Sequence, residues 1–144
     1  MMNVIVVGTD GSNSADAAVV RAGELAKQVG ARVELVSGYR EHHATASGMG
    51  AALYPGNLVE ESRKAADGCL EVAAMRLRSD GLEVETHCMG GDPADALIDI
   101  AEATEANLIV VGSKGMQGSR RVLGSVPNRV SHHAPCSVMI VRTA

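Results

Sequence analysis

Five short apolar runs punctuate the chain: NVIVV (3–7), RVELVS (32–37), LEVETHCM (82–89), NLIVV (107–111) and SVMIVR (137–142). The first and fourth are apolar without alternation, as parallel strands covered on both faces are. The third alternates, with Glu83, Glu85 and His87 on one side, and predicts an edge strand. Between the runs the period changes to that of a helix. Ala18, Ala22, Leu25, Ala26 and Val29 form one apolar stripe that Gly30 brings to a stop. From Leu58 to Leu77 a second stripe runs through Ala65, Cys69 and Ala73, leaving Lys64, Arg76 and Arg78 wet. Asp92 and Pro93 read as N-cap and first residue of a third helix that buries Leu97, Ile100 and Ala101. A fourth begins near Ser125 and carries Val126 and Val130, with Pro127 tolerated in its first turn.

Strand alternating with helix through five strands predicts an α/β three-layer sandwich: a parallel sheet, right-handed crossovers and helices on both faces. At 144 residues, with no repeat or composition break, the chain reads as a single domain spanning 1–144. The segment 38–57, GYREHHATASGMGAALYPGN, is the one long irregular stretch and reads as a flexible loop, either a lid or a disordered connection.

Composition narrows the function classes. Apolar residues make up 46% of the chain, yet Phe and Trp are absent and Tyr39 and Tyr54 are the only aromatic side chains, so the core is aliphatic. Without aromatic platforms, recognition of single-stranded nucleic acid is not expected. The net charge of −4, with no block of like charge, gives no pull toward nucleic acid or an anionic membrane. The N-terminal segment has no basic region and only a four-residue apolar run before Gly8, which excludes a signal peptide or membrane span there and predicts a cytoplasmic location. Cys69, Cys88 and Cys136 are widely spaced with no CxxC pair, the pattern of reduced, buried thiols.

In an open parallel sheet the ligand crevice lies at the carboxyl ends of the strands, where the winding reverses. If the first and fourth strands are central neighbours, the loops GTDGS (8–12) and GSKG (112–115) face each other there. Glycines let backbone amides approach an anion, and the amides of Gly124, Ser125 and Val126 then open a helix whose positive end favours phosphate. Two readings of these glycines stand: a phosphate cradle, or tight turns with Ser125 as a simple cap. Asp10 likewise is either a ligand contact or a turn residue bonding its own backbone. No GxxxxGK[ST] is present and no GxGxxG follows the first strand, so neither a P-loop nor a conventional dinucleotide fold is expected. His132 and His133, late in the last helix, read as cationic or neutral caps at its negative end, and His42 and His43 have no ligand partners at metal spacing.

Taken together, VIVVGTDGSNSADAAV at the start and LIVVGSKGMQGSRRVLGSVPNRVSHHAPCSVMIVR at the end resemble the universal stress protein family, and the likeness extends over essentially the whole chain. The resemblance implies a Rossmann-like sheet of order 3-2-1-4-5, of the adenine nucleotide alpha hydrolase-like kind. The family's ATP-binding motif G-x2-G-x9-G-[ST] is matched by Gly112, Gly115, Gly124 and Ser125, with eight residues in place of nine in the second gap. By the same resemblance Thr9, Asp10 and Gly11 would lie near the ribose and Asp10 near a nucleotide-bound Mg²⁺. Adenine would lie against the main chain of Val36 to Gly38. Gly112, Ser113 and Gly115 would meet ribose and phosphate, and Gly124, Ser125 and Val126 the outer phosphates. Arg120 is either a phosphate partner or a surface residue. Cyclic AMP is an alternative ligand, and the resemblance implies a homodimer through strand 137–142, an exposed sheet edge in the inferred order.

An efficient ATPase also needs a group to orient water and charge to stabilise the departing phosphoryl group. Asp10, Lys114, one arginine and Gln117 are all the two loops offer. The expectation is a nucleotide-dependent stress-response regulator with slow or no hydrolysis and no assigned catalytic residue. A nucleotide-independent adaptor of the same fold is the alternative.

Overall fold

The computed structural model describes residues 1–39, 57–113 and 123–142. Its elements follow the order β1 (Val4–Gly8), α1 (Asn13–Val29), β2 (Arg32–Tyr39), α2 (Asn57–Ser79), β3 (Val84–Gly90), α3 (Pro93–Ala103), β4 (Leu108–Gly112), α4 (Ser125–His133) and β5 (Ser137–Val141). The strands form one five-stranded sheet of order β3-β2-β1-β4-β5, and every pairing is parallel. The α/β class and the order 3-2-1-4-5 are thus as expected. Of the segment 38–57, residues 38 and 39 complete β2 and 57 begins α2; the expected loop between them lies outside the described residues.

Strand side chains alternate between two aliphatic layers, which is why the central runs are continuously apolar. Ile5, Val7, Val33, Leu35 and Val110 meet Ala18, Val19 and Ala22 of α1 and Leu70, Ala74 and Leu77 of α2. On the opposite face Val4, Val6, Val36, Ile109 and Val111 meet Leu97, Ile100 and Ala101 of α3 and Val130 of α4. A small residue lets α1 and α2 pack closely side by side: a Cβ on Gly23 of α1 would lie 2.6 Å from Leu77 Cδ2 of α2.

Two helical stripes sit differently from the pattern read above. Val29 is exposed, and the buried side of α1 begins one turn earlier, at Ser14, then runs through Ala18, Ala22 and Ala26. In α2 Ala65 is exposed and Cys69 half-buried, while Ala66, Leu70, Ala73, Ala74 and Leu77 form the core face. Alanine and glycine on several sides of each helix blur the phase of the pattern. At the edge, Glu85 is exposed as expected but His87 is half-buried, its Nε2 3.6 Å from Glu34. Glu34 itself is 3% exposed and also lies 3.6 Å from the Arg32 Nε.

Caps fix the helix starts. Ser12 Oγ accepts from the Ala15 amide at 3.2 Å to open α1, and Asp92 accepts from the Ala94 and Asp95 amides at 2.8 and 3.1 Å to open α3. Among the described residues no helix is long and apolar enough to cross a membrane.

Candidate functional site

β1 and β4 are neighbours, paired from Ile5↔Leu108 to Val7↔Val110, and the helices that come next, α1 and α4, pack on opposite faces of the sheet. A cavity of about 430 Å³ opens at this divide, within the range of small-molecule sites. The β1–α1 turn contributes Gly8, Thr9, Asp10, Ser12, Ser14 and Ala15 to its wall, and β2 contributes Val36 and Gly38. Pro93 and Leu97 of α3, Val111 and Gly112 of β4, and Gly124 to Pro127 complete it. One end is therefore aliphatic, made by Val36, Pro93 and Leu97, and the other is the start of a helix.

That helix start is unlike the other two with assigned caps. α4 has Gly124 at its N-cap, with extended backbone (φ −62°, ψ 163°), no side-chain cap and no acidic residue in its first turn. Helical N–H groups of the first turn have no intrahelical acceptor. With no side-chain cap from Gly124 itself, these groups can serve an anion in the cavity.

Of the residues expected at the site, Thr9, Asp10, Val36, Gly38, Gly112, Gly124, Ser125 and Val126 lie on the cavity wall. Gly11 and Ser113 do not. Gly11 turns toward α2 at φ 80°, a conformation that glycine adopts freely, and a Cβ there would lie 2.9 Å from Cys69 Sγ. Ser113 is 2% exposed and its amide donates to the Val141 carbonyl at 3.0 Å. Gly115 and Arg120 fall outside the described residues, as do Lys114 and Gln117.

The backbone of the first loop is held from several directions. The Thr9 amide donates to the Val36 carbonyl at 2.9 Å, tying the loop to the end of β2. Asp10 Oδ1 accepts from the Ser12 amide at 2.9 Å, the turn role foreseen for it, and the same residue lines the cavity. Both readings of Asp10 are thus compatible with its place. It is the single ionisable side chain among the described lining residues. No group of three His, Cys, Asp or Glu side chains capable of holding a metal occurs among the described residues. A Mg²⁺ here would have one protein carboxylate plus ligand phosphates and water, a set that this ion accepts.

Ser14, Ala15, Pro93, Leu97 and Pro127 were not anticipated on the wall. Ser14 had a signal available: it stands four residues before Ala18 on the stripe that packs against the sheet. Gly112 carries a further lesson. A Cβ on it would lie 2.7 Å from the Ser14 carbonyl carbon, and closer still to the carbonyl oxygen and Oγ, so its lack of a side chain serves the approach of α1.

Comparison with known proteins agrees with this architecture. The model of the universal stress protein family matches residues 1–142. Universal stress protein YxiE of Bacillus subtilis is 34% identical over 99% of this chain and 100% of its own length. Universal stress protein Rv1636 of Mycobacterium tuberculosis is 36% identical over 96% of this chain and 95% of its own. A universal stress protein whose crystal structure was solved in complex with cAMP superposes with a TM-score of 0.75 at 31% identity, over 99% of this chain and 98% of that one. With a glycine-opened helix facing the β1 turn across the divide of a 3-2-1-4-5 sheet, and relatives matched end to end, this chain belongs to the universal stress protein family.

Proposed function

We propose that the protein binds an adenine nucleotide, ATP with Mg²⁺ as first choice, in the cavity between the β1 and β4 loops, and acts as a nucleotide-dependent stress-response regulator in the cytoplasm. The observation that carries this reading is the uncapped start of α4 opening onto the same cavity as Asp10 and the aliphatic end at Val36, Pro93 and Leu97. A ligand with a flat apolar head and an anionic tail matches both ends. Asp10 would take a place near the ribose or a phosphate-bound Mg²⁺, while Gly124, Ser125 and Val126 would meet the outer phosphates. Gly112 would contribute backbone, and Gly115 and Arg120 belong to the proposed cradle through the sequence motif.

The proposed regulator hydrolyses its nucleotide slowly or not at all; Asp10 is the one carboxylate among the described lining residues, and an efficient ATPase also needs a group to orient water. Nucleotide would then act as a ligand that stabilises the bound conformation. The relative solved with cAMP favours a second reading in which cyclic AMP is the preferred ligand. We place a homodimer contact on β5, whose outer edge is unpaired in the sheet order.

The test is mass spectrometry of small molecules released by denaturing the purified protein, with calorimetric titration of ATP, AMP and cyclic AMP, with and without Mg²⁺. Retained or titratable adenine nucleotide supports the reading. A protein that is purified empty and ignores all three ligands is instead the adaptor of the same fold.

A further inference from the structure

Ser14 occupies the second helical position of α1, on the cavity wall, and is 9% exposed. Its hydroxyl is buried and has no hydrogen-bond partner among the described residues. Three other hydroxyls in or at the end of helices are spent on their own backbone: Ser79, Thr104 and Ser131 each donate to a carbonyl three or four residues back, all at 2.7 Å. A buried polar group left without a partner is uncommon in native proteins and calls for a cause. Ser14 also lies against Gly112, the last residue of β4, at the point where β1 and β4 part. Gly112 has no side chain to shield it.

We infer that the Ser14 hydroxyl is a ligand group, donating a hydrogen bond to the first phosphoryl group of the nucleotide. The inference rests on the nucleotide reading above and adds a named contact to it. Gly112 and Ser14 line the same cavity as Val36, Leu97 and the start of α4, where the proposal puts the base and the tail. The first phosphoryl group is the part that falls between. Ser14 sits in the first turn of α1, where the positive end of the helix favours an anion; its Oγ is covered as it stands, so the contact takes another staggered rotamer of the same side chain. Asp10 disfavours a bare phosphate nearby, but it is exposed and one of its oxygens is engaged by the Ser12 amide.

The test is titration of adenosine, AMP, cyclic AMP and ATP into the full-length protein, its Ser14→Ala variant and its Ser14→Cys variant. The alanine change is expected to weaken AMP, cyclic AMP and ATP by about tenfold or more, the loss typical of a hydrogen bond to a charged group, and to leave adenosine unchanged. Cysteine, similar in shape but a weak donor, is expected to lose most of the same affinity. The melting temperature without ligand should stay level or rise in Ser14→Ala, because an unpartnered hydroxyl is removed. Equal affinities in all three proteins overturn the inference while sparing the nucleotide reading. An equal loss for adenosine assigns the hydroxyl to the ribose and also overturns it. If the parent protein binds none of the four, the nucleotide reading fails and this inference falls with it.

Discussion

A methyl group added at Gly112 would meet the backbone and hydroxyl of Ser14, not empty space. Gly112→Ala is therefore expected to push α1 from the sheet and to destabilise the fold by about 1–3 kcal/mol, the usual cost of overpacking, read as a lower urea midpoint. A conformer that only cleared room for ligand would show unchanged stability instead. Cysteine chemistry gives a second check at this scale. Burial, and next the adjacent Asp67, push the Cys88 thiol up from the ordinary 9.0 to about 11; burial also raises Cys136. In the folded protein Cys88 keeps its proton where an unfolded chain would lose it, so this group's contribution to stability is whole below pH 9 and fades as the pH climbs toward 11. Its alkylation by iodoacetamide, followed by peptide mapping, should be slow at pH 8 and rise steeply only above pH 9. Of the glycines that sequence singled out, Gly38, Gly112 and Gly124 gather at the cavity, Gly11 does not, and Gly115 lies outside the described residues. Sequence could not tell which neighbours each glycine accommodates, because Gly112 and Ser14 are brought together only by the packing of α1 on the sheet.

Secondary-structure elements were the most legible scale, since continuous aliphatic runs mark doubly covered strands and the Asp92–Pro93 and Gly124–Ser125 pairs mark helix starts. Helix phase was less legible: α1 and α2 carry so many small residues that two adjacent stripes look alike, and Val29 and Ala65 fell on the wrong one. Glu34 was invisible for a different reason. Its partners Arg32 and His87 come from its own strand and the neighbouring one, and only sheet register joins them. The partners keep contact with solvent, while Glu34 does not. Replacing Arg32 with Met is expected to cost about 1–3 kcal/mol by leaving a buried carboxylate poorly compensated, whereas Glu34→Met should be neutral or stabilising. Chemical denaturation of both variants checks the asymmetry; equal losses would refute it. At α4, Ser125→Asp places a carboxylate in an uncapped first turn. It should stabilise the helix end by about 0.3–1 kcal/mol yet abolish nucleotide binding, two effects of opposite sign that melting with and without ATP would separate.

At the scale of the whole molecule, a ligand bound at the divide between β1 and β4 touches both layers of helices at once. Binding that is confined to the folded state adds about 2.7 kcal/mol at a hundredfold excess over Kd, so saturating nucleotide should raise the melting temperature by several degrees. Failure of any adenine nucleotide to do so in a protein freshly stripped of ligand would favour the adaptor. The Ser113 amide leaves β4 by donating to Val141, the last residue of β5. One carbonyl thus fastens Ser113, just past the end of β4, to the sheet's outermost strand. A displacement of that outermost strand would therefore be passed through one hydrogen bond to the end of β4, beside the cavity wall at Val111 and Gly112.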